Sequence, residues 1–170
     1  MGGAARTWIT AVPLFPVVFG AGLVLAAVFS RPLARRARLA DGVVFGLLAS
    51  LSLIVAATLS PGVDGVWGSC LRDVAHPLGP RGLLTGGDRS LNTWLFVPLG
   101  VFAALAARTR PWLLPAAFAV PFMVEGLQRA LPWLGRRCQF QDLVDNAWGV
   151  VLGAAVGLLI GLLTTHSERR

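Results

Sequence analysis

Asn92-Thr-Trp-Leu-Phe-Val-Pro98-Leu-Gly100, Glu125-Gly-Leu-Gln128-Arg129 and Arg136-Arg-Cys-Gln-Phe-Gln-Asp142-Leu-Val-Asp145-Asn146-Ala-Trp-Gly149-Val-Val-Leu-Gly153 decide how this chain is read. They set acids, amides and arginines inside or against segments that are otherwise apolar enough for lipid. An ionisable group at membrane depth is costly and seldom incidental, so a function is to be sought in this stretch, between Asn92 and Gly161. The first 90 residues read as its support.

The composition agrees with a membrane setting. Of 170 residues, 55% are hydrophobic and only 14% charged, with a mean hydropathy of +0.70, whereas a soluble domain carries nearer a quarter charged residues. The expected fold class is an all-α, polytopic transmembrane helical bundle of about five spans, forming a single integral-membrane domain over residues 1–170. The apolar runs lie at 8–29, 42–59, 91–107, 112–131 and 143–163, each near the roughly 17–25 residues a membrane helix needs. In lipid only a helix satisfies its own backbone without neighbours, which makes all five helical. Pro13, Pro16, Pro115 and Pro121 are expected to kink these helices or delay their start. The first run is too long for a signal peptide's apolar region, and its arginines follow it, so it is expected to stay as a span.

The net charge of +7 comes from fifteen arginines and no lysine. They sit between apolar runs with few aromatics beside them, which argues against nucleic acid and for a topology signal. Arg31, Arg35, Arg36, Arg38, Arg108, Arg110, Arg169 and Arg170 would share one face of a five-span bundle, against six arginines on the other. The richer face is expected to be cytoplasmic, which puts the N-terminus outside and the C-terminus inside.

Whatever the orientation, threading five spans brings Asn92, Glu125, Gln128, Arg129, Arg136, Asp142 and Asn146 to one end of the bundle. Glu125, Gln128 and Arg129 stand at i, i+3 and i+4 on one helix face. Asp142, Asn146, Gly149, Gly153 and Gly157 fall within about 80° of arc, at roughly 100° per residue. Gly149, Gly153, Gly157 and Gly161 repeat every fourth position, and such small-residue tracks let a second backbone approach closely. An intramolecular partner is favoured over a homodimer, because the chain has its own helices to fill the groove. The oligomeric state is left open.

The sequence has no phosphate-binding loop, dinucleotide fingerprint, CxxC, HExxH or GxSxG pattern. No cofactor is expected. Cys70, His76 and Cys138 lack a fourth ligand and a metal-site spacing, so no metal is expected either. Cys70 and Cys138, placed in loops on one face, are expected to form a disulfide, closing the long loop over the polar cluster.

The order Asn92…Phe96-Val-Pro98-Leu-Gly100, Glu125-x-x-Gln128, Arg136…Asp142-x-x-x-Asn146-x-x-Gly149-x-x-x-Gly153 resembles the VanZ-like domain of bacterial membrane proteins, over about residues 40–163. The resemblance implies a cell-envelope setting, and its namesake is associated with low-level resistance to the glycopeptide teicoplanin. It carries the family's polar signature onto Asn92, Glu125, Gln128, Arg136 or Arg137, Asp142 and Asn146. Two departures stand out. Residues 139–141 read Gln-Phe-Gln where the family tends to be acidic, and Asp145 holds a position usually apolar.

Three functions follow as expectations. In the first, an outward-facing polar pocket binds a membrane lipid or an amphiphilic envelope molecule, the anionic head meeting Arg129, Arg136 or Arg137. The second is a membrane enzyme with Glu125 and Asp142 as an acid/base pair on an envelope lipid. Catalysis is the weaker of these two, because Ser90 and Thr93 beside Asn92 have no histidine partner. In the third the cluster only fixes helix packing. Interhelical hydrogen bonds in membranes contribute about 0.6 kcal/mol each, so six polar residues at one spot would add little stability.

Overall fold

The computed structural model describes residues 12–61, 76–84, 86–135 and 139–167. Six α-helices follow in order: α1 Phe15–Ala37, α2 Asp41–Thr58, α3 Pro80–Leu84, α4 Asp88–Ala107, α5 Leu113–Ala130 and α6 Phe140–Ser167. A 3-10 turn at Pro132–Leu134 separates α5 from α6. Cys70, Cys138, Arg136 and Arg137 lie outside the described residues, and with them the expected disulfide.

Four of these helices, α1, α2, α4 and α6, are long and apolar enough to cross a membrane. α5 has 18 residues and is not among them, because Glu125, Gln128 and Arg129 occupy its last turns. Large apolar side chains such as Val24, Val28, Leu158 and Leu162 point outward along α1 and α6. Water would penalise such a surface, and lipid tails match it. The protein is a multi-pass, all-α membrane protein.

α1 corrects the sequence reading at its far end. The apolar run ends at Phe29, yet the helix continues to Ala37 with Pro32 inside it. Pro32 removes one intrahelical bond, to the carbonyl of Val28, while the following alanines and arginines favour helix and carry it on. Arg38, at φ 55°, closes α1 in the left-handed conformation, its N–H donating back to Ala34 and Arg35. At the other end Pro16 falls in the first turn, where a missing N–H costs no bond.

α4 and α6 also begin earlier than their apolar runs. Each recruits a polar first turn whose acid, Asp88 in α4 and Asp142 in α6, suits the positive end of the helix dipole. Arg89, Ser90, Gln141 and Asp142 therefore sit on helices rather than in loops.

α4 and α6 form the most extensive helix pair, with α5 packed against both and the α1–α2 hairpin joined through α2 to α4. α4 and α6 run parallel, since α5 returns the chain between them. A Cβ at Gly149, Gly153 or Gly157 would meet the backbone carbonyls of Thr93, Val97 and Val101 in turn, and one at Gly100 that of Val150. The two backbones are thus in direct contact, at a spacing no side chain permits. The glycine track is filled by α4 of the same chain. Gly161, the last of the series, faces the Arg108 side chain, whose Nη1 donates to its carbonyl at 3.1 Å. Ile54, Phe96, Leu99, Ala103, Ala117, Val124 and Val150 make the core between α2, α4, α5 and α6.

Candidate functional site

The start of α4, the start of α6, the end of α5 and the end of α2 meet at one end of the bundle, and the polar residues converge there. Asn92 Nδ2 donates to Asp142 Oδ1 at 2.9 Å, tying α4 to α6. The N–H of Gln139, one residue before α6, donates to Glu125 Oε2 at 3.2 Å and brings α5 to the same spot. Gln128 Nε2 donates to the carbonyl of Thr58 at 2.9 Å, so the end of α2 joins as well. Asp142 lies within electrostatic reach of Glu125, Asp145, Asp88 and Arg89. Among the described residues, Asp142 thus has three other carboxylates and one arginine around it.

That arginine is Arg89. Its Nε donates to Asp145 Oδ2 at 2.8 Å and its Nη2 to Asp145 Oδ1 at 2.9 Å, a two-pronged pair. Asp145 is fully buried. Gln141 Nε2 adds a third bond to the Asp145 carboxylate at 3.0 Å, and both Arg89 and Gln141 donate to the carbonyl of His76. A buried carboxylate with three donors is compensated in full. Neither Arg89 nor Asp145 stands among the expected site residues. The available signal was positional: Asp145 follows Asp142 by three residues and precedes Asn146, and Arg89 stands three before Asn92.

Arg129 behaves differently from the rest of the cluster. It is exposed and makes no ion pair with a described residue, although Glu125 is one turn away on the same helix. A long arginine near a helix end keeps its head in water more cheaply than it desolvates. Glu125, 7% exposed, turns inward to the Gln139 N–H instead.

Two buried amide oxygens have no donor among the described residues. Gln128 is 9% exposed and Asn146 is 2% exposed, and neither Gln128 Oε1 nor Asn146 Oδ1 accepts a hydrogen bond from a described residue. The Gln128 amide cannot simply be turned over, because its nitrogen is fixed by donating to the Thr58 carbonyl. Native proteins leave few buried polar atoms unpaired, and each one requires a reason. Trp148 Nε1, on another face of α6, also has no partner among the described residues. The hydroxyls near Asn92 are committed to their own helix, Ser90 Oγ to the carbonyl of Gly87 and Thr93 Oγ1 to that of Arg89. Neither is positioned as an activated nucleophile.

A family model described as VanZ/LLP1 matches residues 68–161, more than half of the chain. The chain belongs to the VanZ/LLP1 family. The match begins 12 residues before α3, runs into α6 and so contains every residue of the polar cluster except Thr58. It starts later than the resemblance over 40–163 suggests, leaving α1 and α2 outside the VanZ/LLP1 region. No curated protein and no solved structure matches the chain.

Proposed function

We propose that this VanZ/LLP1 protein sits in the bacterial cell envelope, with its polar cluster facing outward to receive the head of an amphiphilic molecule. Such molecules include a lipid-linked cell-wall precursor or the acylated end of a teicoplanin-type glycopeptide, and binding them would contribute to resistance. The observation that carries the reading is a pair of buried acceptors with no donor among the described residues, Asn146 Oδ1 and Gln128 Oε1, flanking Glu125 and Asp142. Stability alone does not favour leaving them so, whereas a ligand's hydroxyl or ammonium protons would satisfy them.

Among the described residues, this arrangement favours a donor-rich head, such as a sugar or an amine, over an anionic one. Arg89 is already neutralised by Asp145, and Arg129 points away to solvent. The outward orientation rests on charge. Arg31, Arg35, Arg36, Arg38, Arg108 and Arg110 gather at the opposite end of the bundle, as cytoplasmic arginines do. Orientation is tested by reporter fusions to the two termini.

Function is tested by expressing the chain in a glycopeptide-susceptible bacterium. The inhibitory concentrations of an acylated glycopeptide and of its deacylated form are then compared. The chain is expected to protect against the acylated drug, and Asp142→Asn at normal membrane abundance to remove that protection. Protection that survives Asp142→Asn, or that is absent from the start, removes the proposed role.

A further inference from the structure

At the end of the bundle away from the polar cluster, a cleft of about 580 Å³ opens between α1, α2 and α5, with Leu99 of α4 at its back. Its wall is apolar, with Leu47, Leu51, Leu113 and Val120 among the lining residues, and Arg36 and Arg110 are its only charged lining groups among the described residues. We propose that this cleft holds one anionic phospholipid, its phosphate head between Arg36 and Arg110 and an acyl chain along the leucines.

Arg110 is built into the mouth of the cleft. Its Nε donates to the carbonyl of Ala37, the last residue of α1, at 2.8 Å. That bond fixes the guanidinium across the α1–α5 gap, and no other described residue takes its terminal nitrogens. Arg36, on the last turn of α1, is exposed beside it. A planar guanidinium presenting free paired donors matches phosphate oxygens well.

Charge selects among possible occupants. Arg31, Arg35, Arg36, Arg38, Arg108 and Arg110 share this end, and the one described carboxylate there, Asp41, lies 4.0 Å from exposed Arg31. A second copy of the chain docking here would set these arginines against their equivalents. A zwitterionic lipid brings its own cation to the same place, and a free phosphate makes no use of an apolar cleft. An anionic phospholipid satisfies both the charge and the cavity, whose volume is in the range of roughly 300–1,000 Å³ typical of ligand sites.

The test is native mass spectrometry of the purified full-length protein, titrated with phosphatidylglycerol and with phosphatidylethanolamine of equal chain length. One phosphatidylglycerol is expected to be retained about tenfold more tightly than the zwitterionic lipid, and Arg36→Gln is expected to abolish most of that difference. Leu113→Trp, which narrows the cleft and leaves its charge, is expected to weaken binding without lowering the melting temperature. Arg31→Gln, at the same end but outside the cleft, is the control and is expected to change nothing. Equal loss in Arg31→Gln would reduce the effect to bulk charge and overturn the site. So would equal retention of both lipids, short-chain dihexanoyl phosphatidylglycerol binding as tightly as the long-chain form, or a lipid-free dimer.

Discussion

Arg89 and Asp145, one at the first turn of α4 and the other on the second turn of α6, close a two-pronged ion pair of 2.8 and 2.9 Å around a carboxylate with no exposure to solvent. The pair clamps the parallel α4–α6 seam at its polar end, where the glycine track begins. Removing one partner of a buried pair strands the other, which costs far more than the pair contributes in net terms. Arg89→Gln is expected to cost roughly 3 kcal/mol, the low end of about 3–5, because the Arg89 side chain is 34% exposed and water reaches it. Adding Asp145→Asn to that variant is expected to restore part of the loss, read by unfolding in mixed micelles. Strict additivity of the two changes would show that the residues are not coupled.

The same pair marks where the sequence stops being legible. Long apolar runs identified the membrane helices, and the four-residue glycine spacing identified the close seam, because hydropathy and period depend on the chain alone. The convergence of Asn92, Glu125, Gln128, Asp142 and Asn146 also followed from threading. Arg89 falls outside the apolar run at 91–107, since its helix begins with polar residues that a hydropathy window discards. Asp145 read as a departure from an apolar position for want of a visible partner. Partner choice depends on which helix faces which. So does the Gln128 bond to Thr58, a contact spanning 70 positions. The neighbouring acid made Arg129 a plausible member of the cluster, but solvation at the helix end outweighs an i,i+4 pair of a few tenths of a kcal/mol.

The glycine seam yields a size-dependent expectation. Any side chain at Gly153 meets the Val97 carbonyl, a backbone atom that cannot rotate away. Gly153→Ala is therefore expected to destabilise by about 1–3 kcal/mol, as overpacking does. Gly126 on α5 has nothing within 4 Å of a built Cβ, and Gly126→Ala is expected to be neutral or to gain up to about 1 kcal/mol from helix propensity. Thermal unfolding of both variants decides it. If Gly153→Ala melts as the parent does, the backbones are not in contact.

Glu125 separates a packing role from a charged one. Its Oε2 accepts the Gln139 N–H, which ties the end of α5 to the entry of α6. Glutamine keeps an acceptor of similar reach and alanine keeps none, so Glu125→Ala is expected to cost roughly 1 kcal/mol more than Glu125→Gln. Stability and drug protection should be measured on both. Loss of protection in a normally stable Glu125→Gln would assign the role to the charge or proton itself. Equal stability of the two variants would remove the Gln139 bond from the account.

Asn146 gives the sharpest distinction between a site and a scaffold. Its side chain is almost fully buried, yet Oδ1 meets no donor among the described residues, so in the unliganded protein this oxygen bears a desolvation cost without a compensating bond. Leucine has the same branched outline and no polar atom but is larger, so Asn146→Ala, which cannot overpack, is measured beside it. If the oxygen serves only the fold, Asn146→Leu should destabilise, because evolution would have placed a polar group there for a bond the protein makes. If the oxygen awaits a ligand, the substitution removes an unpaired acceptor, and the melting temperature is expected to hold or to rise by the equivalent of about 1–3 kcal/mol. The second outcome is expected here, together with loss of protection against an acylated glycopeptide. Stability gained where function is lost is the pattern of a site held in a strained, unsatisfied state for its ligand. A variant that is destabilised by more than about 1 kcal/mol while retaining its activity would place Asn146 in the packing of α4, α5 and α6 and leave the cluster without a recognition role.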